Sequence, residues 1–498
     1  MKSINFPLIN VLVSLFTFLF VFFTPLDYSL NKYGGTYVYT PDTGTYFPLY
    51  WDPWKSTRTP GYPLFLYPFL EPHRKELAAA FKMAHKKLAP EDFSTGFHEC
   101  LNEAGLQGVF DNIVLCQRLL LSIGAAFLVY TCALFINPLV VGGCFFLCVK
   151  MLPLVNPTWL ITECVAQPLS FFTIGLLLLF FRKRNFLFLF LAALCASFLY
   201  LVRPAGVYML ALGGICWLYF FWKDRFHHVF KFLFSATGFL PAVAYIGYLS
   251  ITSGYLLFGT HPESSDLQFS CYFLQKEDIE NMPTLRAREY ARIQLDKVEF
   301  WKKEISKLYW PDFEEWPRTK SFGFLYNYSA WPITYMPENE VLRELSKNPQ
   351  IGPLNLKQRV MMGRELKKGM LKRHSWDRIK TVGCNILAGL GYYSDFPSST
   401  LKRKYGFPLM VCGWGVWCIA LLLCQEVRFC LLLPGAAHLL HVFAISYGNS
   451  IGYRYVDLTE PLFAFAVFLS LWALACRLWQ FYRKTSGARG RETMEAAG

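Results

Sequence analysis

Apolar runs long enough to cross a lipid bilayer recur along the whole chain, and they constrain its fold more than any other feature. Hydrophobic residues make up 54% of the 498 residues, and aromatic residues make up 18%. A helix needs ~20 apolar residues to cross ~30 Å of hydrocarbon, and it satisfies its own backbone hydrogen bonds there. The sequence therefore predicts an all-α polytopic membrane protein with about ten transmembrane helices.

The predicted spans are continuous apolar runs with few charged residues. The third is short and contains Lys150 and Pro153, which favours a tilted or broken helix. The first is interpreted as a retained anchor, because no Ala-x-Ala-like cleavage site follows it before Pro25. In chain order the spans are Phe6–Thr24, Ile113–Ile136, Leu139–Val155, Cys164–Phe181, Phe186–Val202, Ala205–Trp222, Phe230–Thr252, Phe407–Cys424, Phe429–Tyr447 and Pro461–Leu478.

Basic residues in short loops predict the orientation, since Lys and Arg are retained on the cytoplasmic side. With alternating crossings, all basic clusters fall on one face. Both termini are then cytoplasmic, and the protein is predicted to be a multi-pass protein of a cell inner or plasma membrane. The clusters are Lys2, Arg182 to Arg184, Lys223 to Lys231, Arg428, and the tail with Arg477, Arg483 and Lys484.

Two long polar segments are predicted to lie on the extracytoplasmic side, and they divide the chain. Residues 1–252 form an N-terminal membrane module whose first outer loop covers 25–112. Residues 253–406 form an extracytoplasmic loop domain, and 407–482 carry the last transmembrane helices. The polar tail at 483–498 is predicted to be disordered.

The net charge is +14, from 49 basic and 35 acidic residues. In a soluble protein this excess would indicate nucleic acid as a partner. Cytoplasmic retention of basic residues and contact with anionic lipid headgroups explain it here, so no nucleic-acid partner is expected.

The fifteen cysteines lack the paired spacing of a zinc site and lie mostly inside predicted spans. They are interpreted as small apolar packing residues. Cys100 and Cys271 both fall in outer loops, and a bridge between them in an oxidising compartment stays an open alternative.

Each outer loop contains one segment with helical periodicity. Arg74–Leu88 carries apolar residues at helical spacing with lysines on the other face. This pattern fits a helix in the membrane interface and, equally, a surface helix packed on its own loop. In the second loop, a heptad-like apolar stripe predicts a helix over Leu285–Trp310.

Several ionisable residues fall at the predicted outer face of the membrane. Each has an ordinary structural interpretation: Asp42 caps a turn, Glu163 stabilises a helix N-terminus, and Arg203 snorkels to the interface. Ionisable groups near hydrocarbon are nevertheless costly unless they are paired or functional, so the set indicates a site. Its members are Asp42, Arg58, Tyr62, Glu163, Arg203, Arg454, Tyr455 and Glu460.

These residue types suit transfer of a group from a lipid-linked phosphate. Guanidinium groups bind phosphate oxygens bidentately, which suits Arg58, Arg203 and Arg454 to a phosphate. A hydroxyl that attacks a sugar carbon must lose its proton, and Asp42 or Glu163 would suit as the base. Tyr62, Tyr455 and Glu460 are expected to shape the site around the donor.

The chain resembles the polyprenyl-phosphate-sugar-dependent glycosyltransferases of the GT-C superfamily, specifically the protein-mannosyltransferase-like and aminoarabinose-transferase-like group. The resemblance covers residues 1–250 and, in outline, the last 60 residues. It is carried by Asp42, Arg-Thr-Pro-Gly-Tyr-Pro at 58–63, Thr162-Glu163, Val202-Arg203-Pro204 and Arg454-Tyr455.

The resemblance implies a glycosyltransferase that takes a sugar from a phosphate-linked polyprenol. The acceptor is a lipid, a glycan or a protein on the extracytoplasmic side, and transfer inverts the anomeric centre. Asp42 takes the role of the family's first-loop acidic residue, as catalytic base or organiser of the site. Thr43 stands where many relatives have a second acidic residue. This argues against a two-carboxylate metal site, although a divalent metal stays an open alternative.

Two other functions stay open. A polysaccharide polymerase or ligase also has a large outer loop, but it would depend on arginines and a loop histidine more than on a first-loop aspartate. A lipid or oligosaccharide transporter would be expected to carry polar residues at mid-span or paired broken helices.

Overall fold

The computed structural model describes the chain at 7–24, 47, 59–87, 93–152, 154–224, 227–258, 267, 270–271, 273–308, 336–390, 400–448 and 458–495. Over these ranges the chain is largely helical and forms no β-strand. The all-α class that the sequence predicts is confirmed.

Six helical stretches in the described part of the chain are long and apolar enough to cross a membrane. The protein is therefore a membrane protein. They are Gln107–Ala133, Glu163–Lys183, Pro204–Lys223, Val229–Ser253, Gln425–Ser446 and Glu460–Arg483. The other predicted spans coincide with shorter apolar helices, at Pro7–Phe23, Pro138–Met151, Phe186–Val202 and Val411–Leu423.

The α-helices are numbered here in chain order. The N-terminal part contains α1 (Pro7–Phe23), α2 (Gly61–Leu70), α3 (Arg74–Lys87), α4 (Phe93–Glu103), α5 (Gln107–Ala133), α6 (Pro138–Met151), α7 (Glu163–Lys183), α8 (Phe186–Val202), α9 (Val207–Lys223), α10 (Val229–Ala236) and α11 (Leu240–Ser253). The remainder contains α12 (Leu285–Leu308), α13 (Met336–Leu345), α14 (Leu356–Gly389), α15 (Thr400–Leu423), α16 (Arg428–Gly448) and α17 (Glu460–Glu495).

Local sequence fixes several of these helix ends. The Asn137 and Asn185 side chains each accept a hydrogen bond, at 3.0 Å, from the backbone N–H two residues later, which caps α6 and α8. Gly254 follows α11 with φ 75°, a left-handed conformation that glycine adopts without a steric penalty. The two asparagines thus mark where apolar helices begin, and Gly254 marks where one ends.

Helix α7 lies at the centre of the apolar bundle. Its residues are buried from Glu163 almost to its last turn, and it packs against α5 and α8. Helix α5 also contacts α1, while α16 packs against α9 and α17. Polar groups on a helix that is enclosed by other helices must find partners within the protein. Polar residues on α7 are therefore candidates for a site.

In the first predicted outer loop, helix α3 confirms the helix predicted over Arg74–Leu88. Leu77, Ala80 and Ala84 are buried, and the ring centroids of Phe81 and Phe97 lie 4.7 Å apart between α3 and α4. The apolar face of α3 is thus used in packing within its own loop, as one of the two interpretations predicted.

The described residues between 267 and 374 form a second lobe with a hydrophobic core of its own. Helix α12 confirms the predicted helix over Leu285–Trp310 and packs against α13 and α14. The lobe joins the bundle where Leu356 and Val360 pack in one cluster with Tyr200 and Leu249. Its core consists of Leu267, Leu274, Met282, Ala287, Tyr290, Ala291, Val341, Leu345, Met362, Leu366 and Met370.

A histidine in this lobe lies between two carboxylates. Helix α14 has a non-helical residue at His374, with φ −107° and ψ 20°. His374 Nε2 is 3.0 Å from Asp278 Oδ2, and its Nδ1 is 2.9 Å from Asp377 Oδ2. The kink brings the ring to the buried Asp278, so this contact fastens α14 to the segment before α12.

Cys100 and Cys271 are both buried, and they form no disulfide with each other. The Gln294 amide nitrogen donates a hydrogen bond of 2.8 Å to Cys271 Sγ. Burial raises the pKa of the Cys100 thiol. The bridge between these two cysteines, one of the alternatives from the sequence, is thus not formed.

The last helix, α17, extends beyond its apolar part and ends at Glu495. Residues 483–495 include two glycines and three Ser or Thr residues, so their helical conformation depends on continuation from the apolar helix that precedes them.

Candidate functional site

The start of α7 and the end of α8 meet at a buried ion pair. Pro204 disfavours a helical conformation for the residue before it, and Arg203 is extended, with φ −150° and ψ 121°. Helix α8 therefore ends at Val202, and Arg203 Nη1 lies 2.5 Å from Glu163 Oε1 in the first turn of α7. The Thr-Glu and Arg-Pro dipeptides of the sequence form a single structural unit.

This pair is almost completely removed from solvent. The Arg203 side chain is 8% exposed and the Glu163 side chain is 2% exposed. Glu163 Oε2 also accepts a hydrogen bond of 2.9 Å from the Thr162 hydroxyl. Removing either charge would leave the other buried without its partner, which is strongly unfavourable. The helix N-terminus adds a further favourable interaction with the Glu163 carboxylate.

The Thr-Pro-Gly-Tyr segment packs directly on the end of α8. The Thr59 hydroxyl donates a hydrogen bond of 3.2 Å to the Val202 carbonyl, one of the carbonyls that a helix C-terminus leaves without an intrahelical partner. A Cβ atom at Gly61 would lie 2.4 Å from the Val202 backbone nitrogen. Only glycine permits this close approach, so the motif is built to lie beside Arg203.

Tyr62 connects the same motif to α5. Its hydroxyl donates a 2.7 Å hydrogen bond to Gln117 Oε1, and Gln117 Nε2 donates to the Pro157 carbonyl at 2.7 Å and the Trp159 carbonyl at 3.1 Å. Tyr62 and Gln117 are both fully buried. This network holds the α6–α7 connection against the start of α2. The connection leads directly into Glu163, the first residue of α7.

The start of α17 closes the other side of the site. Gln167 in α7 donates a hydrogen bond of 3.2 Å to the Leu458 carbonyl, and Cys148 in α6 donates one of 3.0 Å to the Pro461 carbonyl. Glu460 lies between these two anchor points and is half-buried in the first turn of α17. The first turns of α7 and α17 therefore face the same region.

Two histidines of α16 contact the residue that precedes α17. His438 Nδ1 lies 3.0 Å from Thr459 Oγ1, and His441 Nδ1 lies 2.8 Å from the same atom. The Tyr208 ring is 4.6 Å from the His441 ring, and its hydroxyl is 2.7 Å from Ser170 Oγ. Helix α16 also contacts residues 204–206, which directly follow Arg203, so the histidines lie on a helix that packs beside the ion pair.

The structure therefore brings together some of the residues predicted to form the site. Tyr62, Glu163 and Arg203 meet around the end of α8, and Glu460 begins the helix opposite. Asp42, Arg58, Arg454 and Tyr455 lie outside the described residues. The predicted helix-terminal role of Glu163 is confirmed, but its carboxylate also pairs with Arg203, which accounts for both residues being buried.

The described ranges contain no group of three or more His, Cys, Asp or Glu side chains that could hold a metal ion.

Several residues of the site were missed from the sequence. Gln117, Tyr208, His438 and His441 lie inside predicted spans, where the sequence suggested apolar packing alone. Polar side chains within membrane helices are costly and usually have partners or functions. The pair of histidines three residues apart in an apolar run was the signal that could have identified them.

No protein-family model, curated protein or solved structure matches this chain.

Proposed function

We propose that this protein is a membrane glycosyltransferase that moves a sugar from a polyprenyl-phosphate donor to an acceptor on the extracytoplasmic face. One observation carries the proposal. The Thr59–Tyr62 segment lies against the end of α8, beside the buried pair of Arg203 and Glu163. Three short motifs that are far apart in sequence thus meet at one end of an apolar bundle.

Basic residues at the helix ends support an extracytoplasmic position for the site. Glu163, Arg203 and Glu460 all lie at the same kind of position, where a helix begins or ends at the proposed outer face. The opposite ends carry Arg182 and Lys183 at the end of α7 and Lys223 at the end of α9. Because basic residues are retained in the cytoplasm, the site is proposed to face the other side. The chain then crosses the membrane about ten times, with 25–112 and 253–406 outside.

Arg203 would hold the donor phosphate near the membrane surface. Its guanidinium is kept in place by Glu163, and a guanidinium in a low-dielectric site stabilises the charge that develops on a departing phosphate. Arg58 directly precedes Thr59 in the sequence, and Arg454 and Tyr455 precede Thr459 by a few residues. These residues are proposed to complete the phosphate site, with Tyr62 and Glu460 positioning the segments that carry them.

The proposed reaction is a single displacement. The oxygen of the acceptor hydroxyl forms a bond to C1 of the sugar, on the face opposite the phosphate. The bond between C1 and the phosphate oxygen breaks, and its electron pair leaves with the polyprenyl phosphate. The proton of the acceptor hydroxyl passes to the Asp42 carboxylate, and the anomeric configuration is inverted.

The decisive experiment follows sugar transfer by the purified protein in liposomes. Radiolabelled decaprenyl-phosphate glucose, mannose and arabinose would be supplied separately, and label would be followed into lipid, glycan and protein fractions. We expect transfer with one donor, abolished by Asp42→Asn while donor binding remains. Asp92→Asn, a matched change in the same predicted loop, should leave transfer unchanged.

Other outcomes would redirect the proposal. Equal transfer by the wild type and Asp42→Asn would remove Asp42 from the mechanism. Movement of lipid across the bilayer without transfer would indicate a transporter. Use of a polyprenyl-diphosphate oligosaccharide in place of the monophosphate donors would indicate a polymerase or ligase.

A further inference from the structure

The strongest unexplained feature of the bundle is the pair of histidines on α16. His438 and His441 are three residues apart, so their side chains lie on one face of the helix, and neither is exposed to solvent. Both rings direct Nδ1 at the hydroxyl of Thr459, at 3.0 and 2.8 Å. Thr459 thus fixes the orientation of both imidazoles.

A threonine hydroxyl has one proton and two lone pairs, so it can accept from both rings or donate to one of them. The two imidazoles are its hydrogen-bond partners among the described residues, so its proton is used only when it donates to one Nδ1 and accepts from the other. Burial in apolar surroundings favours neutral rings. The two rings are then in opposite tautomers. One Nε2 carries a proton and the other carries a lone pair.

Neither Nε2 atom has a hydrogen-bond partner among the residues that the structure describes, and both atoms are buried. A buried nitrogen without a partner costs free energy, and a native structure rarely keeps two of them three residues apart on one helix without a reason. The rings around the two histidines are aromatic. Trp414 and Phe463 stack on His438, and Tyr208 lies against His441. Aromatic walls with a few oriented polar atoms are typical of a ligand site.

We propose that the Nε2 atoms of His438 and His441 form a hydrogen-bonding subsite for a hydroxyl of the sugar on the lipid-linked donor. A hydroxyl both donates and accepts, so one such group matches one protonated and one unprotonated nitrogen. A phosphate group offers acceptors only and would match one of the two. The inference rests on the proposed glycosyltransferase function, and it assigns to α16 the recognition of the sugar.

The position of the subsite fits this assignment. Helix α16, which carries His441, contacts residues 204–206 directly after Arg203, so the subsite lies near the guanidinium that is proposed to hold the phosphate. The phosphate and the sugar of one donor are joined directly, and they require neighbouring subsites of these two chemistries. Thr459 directly precedes α17, so this subsite also depends on how α17 packs against α16.

The test separates the two nitrogens of each ring. In His441→Asn and His438→Asn, the shorter amide can keep the contact with Thr459 and removes the group at the Nε2 position. In His441→Gln and His438→Gln, the longer amide restores a polar atom near that position. Binding of decaprenyl-phosphate mannose, glucose and arabinose and of decaprenyl phosphate without sugar would be measured by calorimetry. His227→Asn, an exposed histidine, is the control.

We expect each Asn variant to bind the preferred decaprenyl-phosphate sugar roughly 10-fold more weakly and decaprenyl phosphate as the wild type does. The Gln variants should recover part of the loss. Equal binding of the sugar donor by folded Asn variants and the wild type would overturn the subsite. If the Asn variants do not fold, ¹⁵N NMR of the histidines in the wild type replaces them, and Nε2 signals that stay unshifted on adding the donor would overturn it.

The two proposals fail in different ways. A wild-type protein that binds the sugar donor through these histidines but transfers nothing would contradict the glycosyltransferase function and leave the subsite standing. Transfer that proceeds with unchanged KM in the Asn variants would contradict the subsite alone. A wild-type protein that binds none of the sugar donors would overturn both.

Discussion

Arg203 Nη1 lies 2.5 Å from Glu163 Oε1, and this contact joins the end of α8 to the start of α7 inside an apolar bundle. An extended residue before a proline and an acidic residue in the first turn of a helix are each ordinary features. Their meeting in the interior is not ordinary, because both charges lose most of their hydration there. A pair of this kind is expected to be both structurally essential and functionally important.

The first prediction concerns this pair. Glu163→Gln should leave the Arg203 guanidinium buried without its carboxylate and lower the free energy of unfolding by about 3–5 kcal/mol. Arg203→Gln should cost a similar amount, and the double variant should be more stable than the sum of the two losses predicts. Unfolding of the detergent-solubilised protein measures all three. Additive losses would contradict the pairing.

The second prediction concerns the close approach of Gly61 to α8. Gly61→Ala places a methyl group 2.4 Å from the Val202 backbone nitrogen, and backbone atoms cannot move aside as a flexible side chain can. We expect a loss of stability of about 2 kcal/mol or more and reduced sugar transfer. Gly108→Ala in α5 is the control, because nothing lies within 4 Å of its added Cβ atom. An unchanged unfolding midpoint for Gly61→Ala would contradict the packing.

The third prediction concerns the hydrogen bond from Tyr62 to Gln117. Tyr62→Phe keeps the ring and its stacking on Phe65 but removes the donor, and a buried amide oxygen then loses a partner. The expected cost is about 1–3 kcal/mol in unfolding free energy. Tyr67→Phe, on an exposed ring 49% accessible to solvent, should cost far less. The comparison of the two unfolding midpoints is the measurement.

The fourth prediction concerns the second lobe. His374→Ala removes the ring between Asp278 and Asp377 and leaves Arg373 on α14, whose Nη1 is 3.6 Å from Asp278 Oδ1, as the charged neighbour of the fully buried Asp278. Limited proteolysis should then cut residues 267–374 faster than in the wild type, because local unfolding becomes easier. Ser375→Ala, on an exposed neighbour in the same helix, should leave the rate unchanged. Identical cleavage rates in all three proteins would contradict a stabilising role for His374.

The fifth prediction concerns membrane orientation. Lys183 and Lys347 are both exposed, at the end of α7 and just after α13, and the proposed topology places them on opposite sides of the membrane. A membrane-impermeant maleimide should label Lys347→Cys from the extracytoplasmic side and Lys183→Cys from the cytoplasmic side. The wild-type chain, with its own cysteines, gives the background. Labelling of both variants from one side would refute the topology.

Part of the fold could be predicted from the sequence because it depends on local composition. Runs of apolar residues specify membrane helices, and Asn137, Asn185 and Gly254 fix helix ends through contacts within a few residues. The predicted helices at Arg74–Leu88 and Leu285–Trp310 are confirmed for the same reason.

The candidate site could be predicted only in part. Tyr62, Glu163, Arg203 and Glu460 were identified by residue type and by their position near predicted span ends. The sequence did not predict the ion pair between Arg203 and Glu163. It also did not predict that Tyr62 donates a hydrogen bond to Gln117, which lies 55 positions later in the chain. Contacts between distant segments depend on helix packing, which no short pattern contains.

The sequence by itself determined that this chain is built from apolar helices and that its ionisable residues gather near their ends. Hydrophobic burial is set by composition, and each helix satisfies its own backbone, so both follow from local pattern. The tertiary structure alone decided which polar groups share the interior. It paired Arg203 with Glu163 and brought both His438 and His441 into hydrogen-bonding distance of Thr459. Burying these polar groups costs free energy, and the packing of the helices supplies the partners that offset this cost.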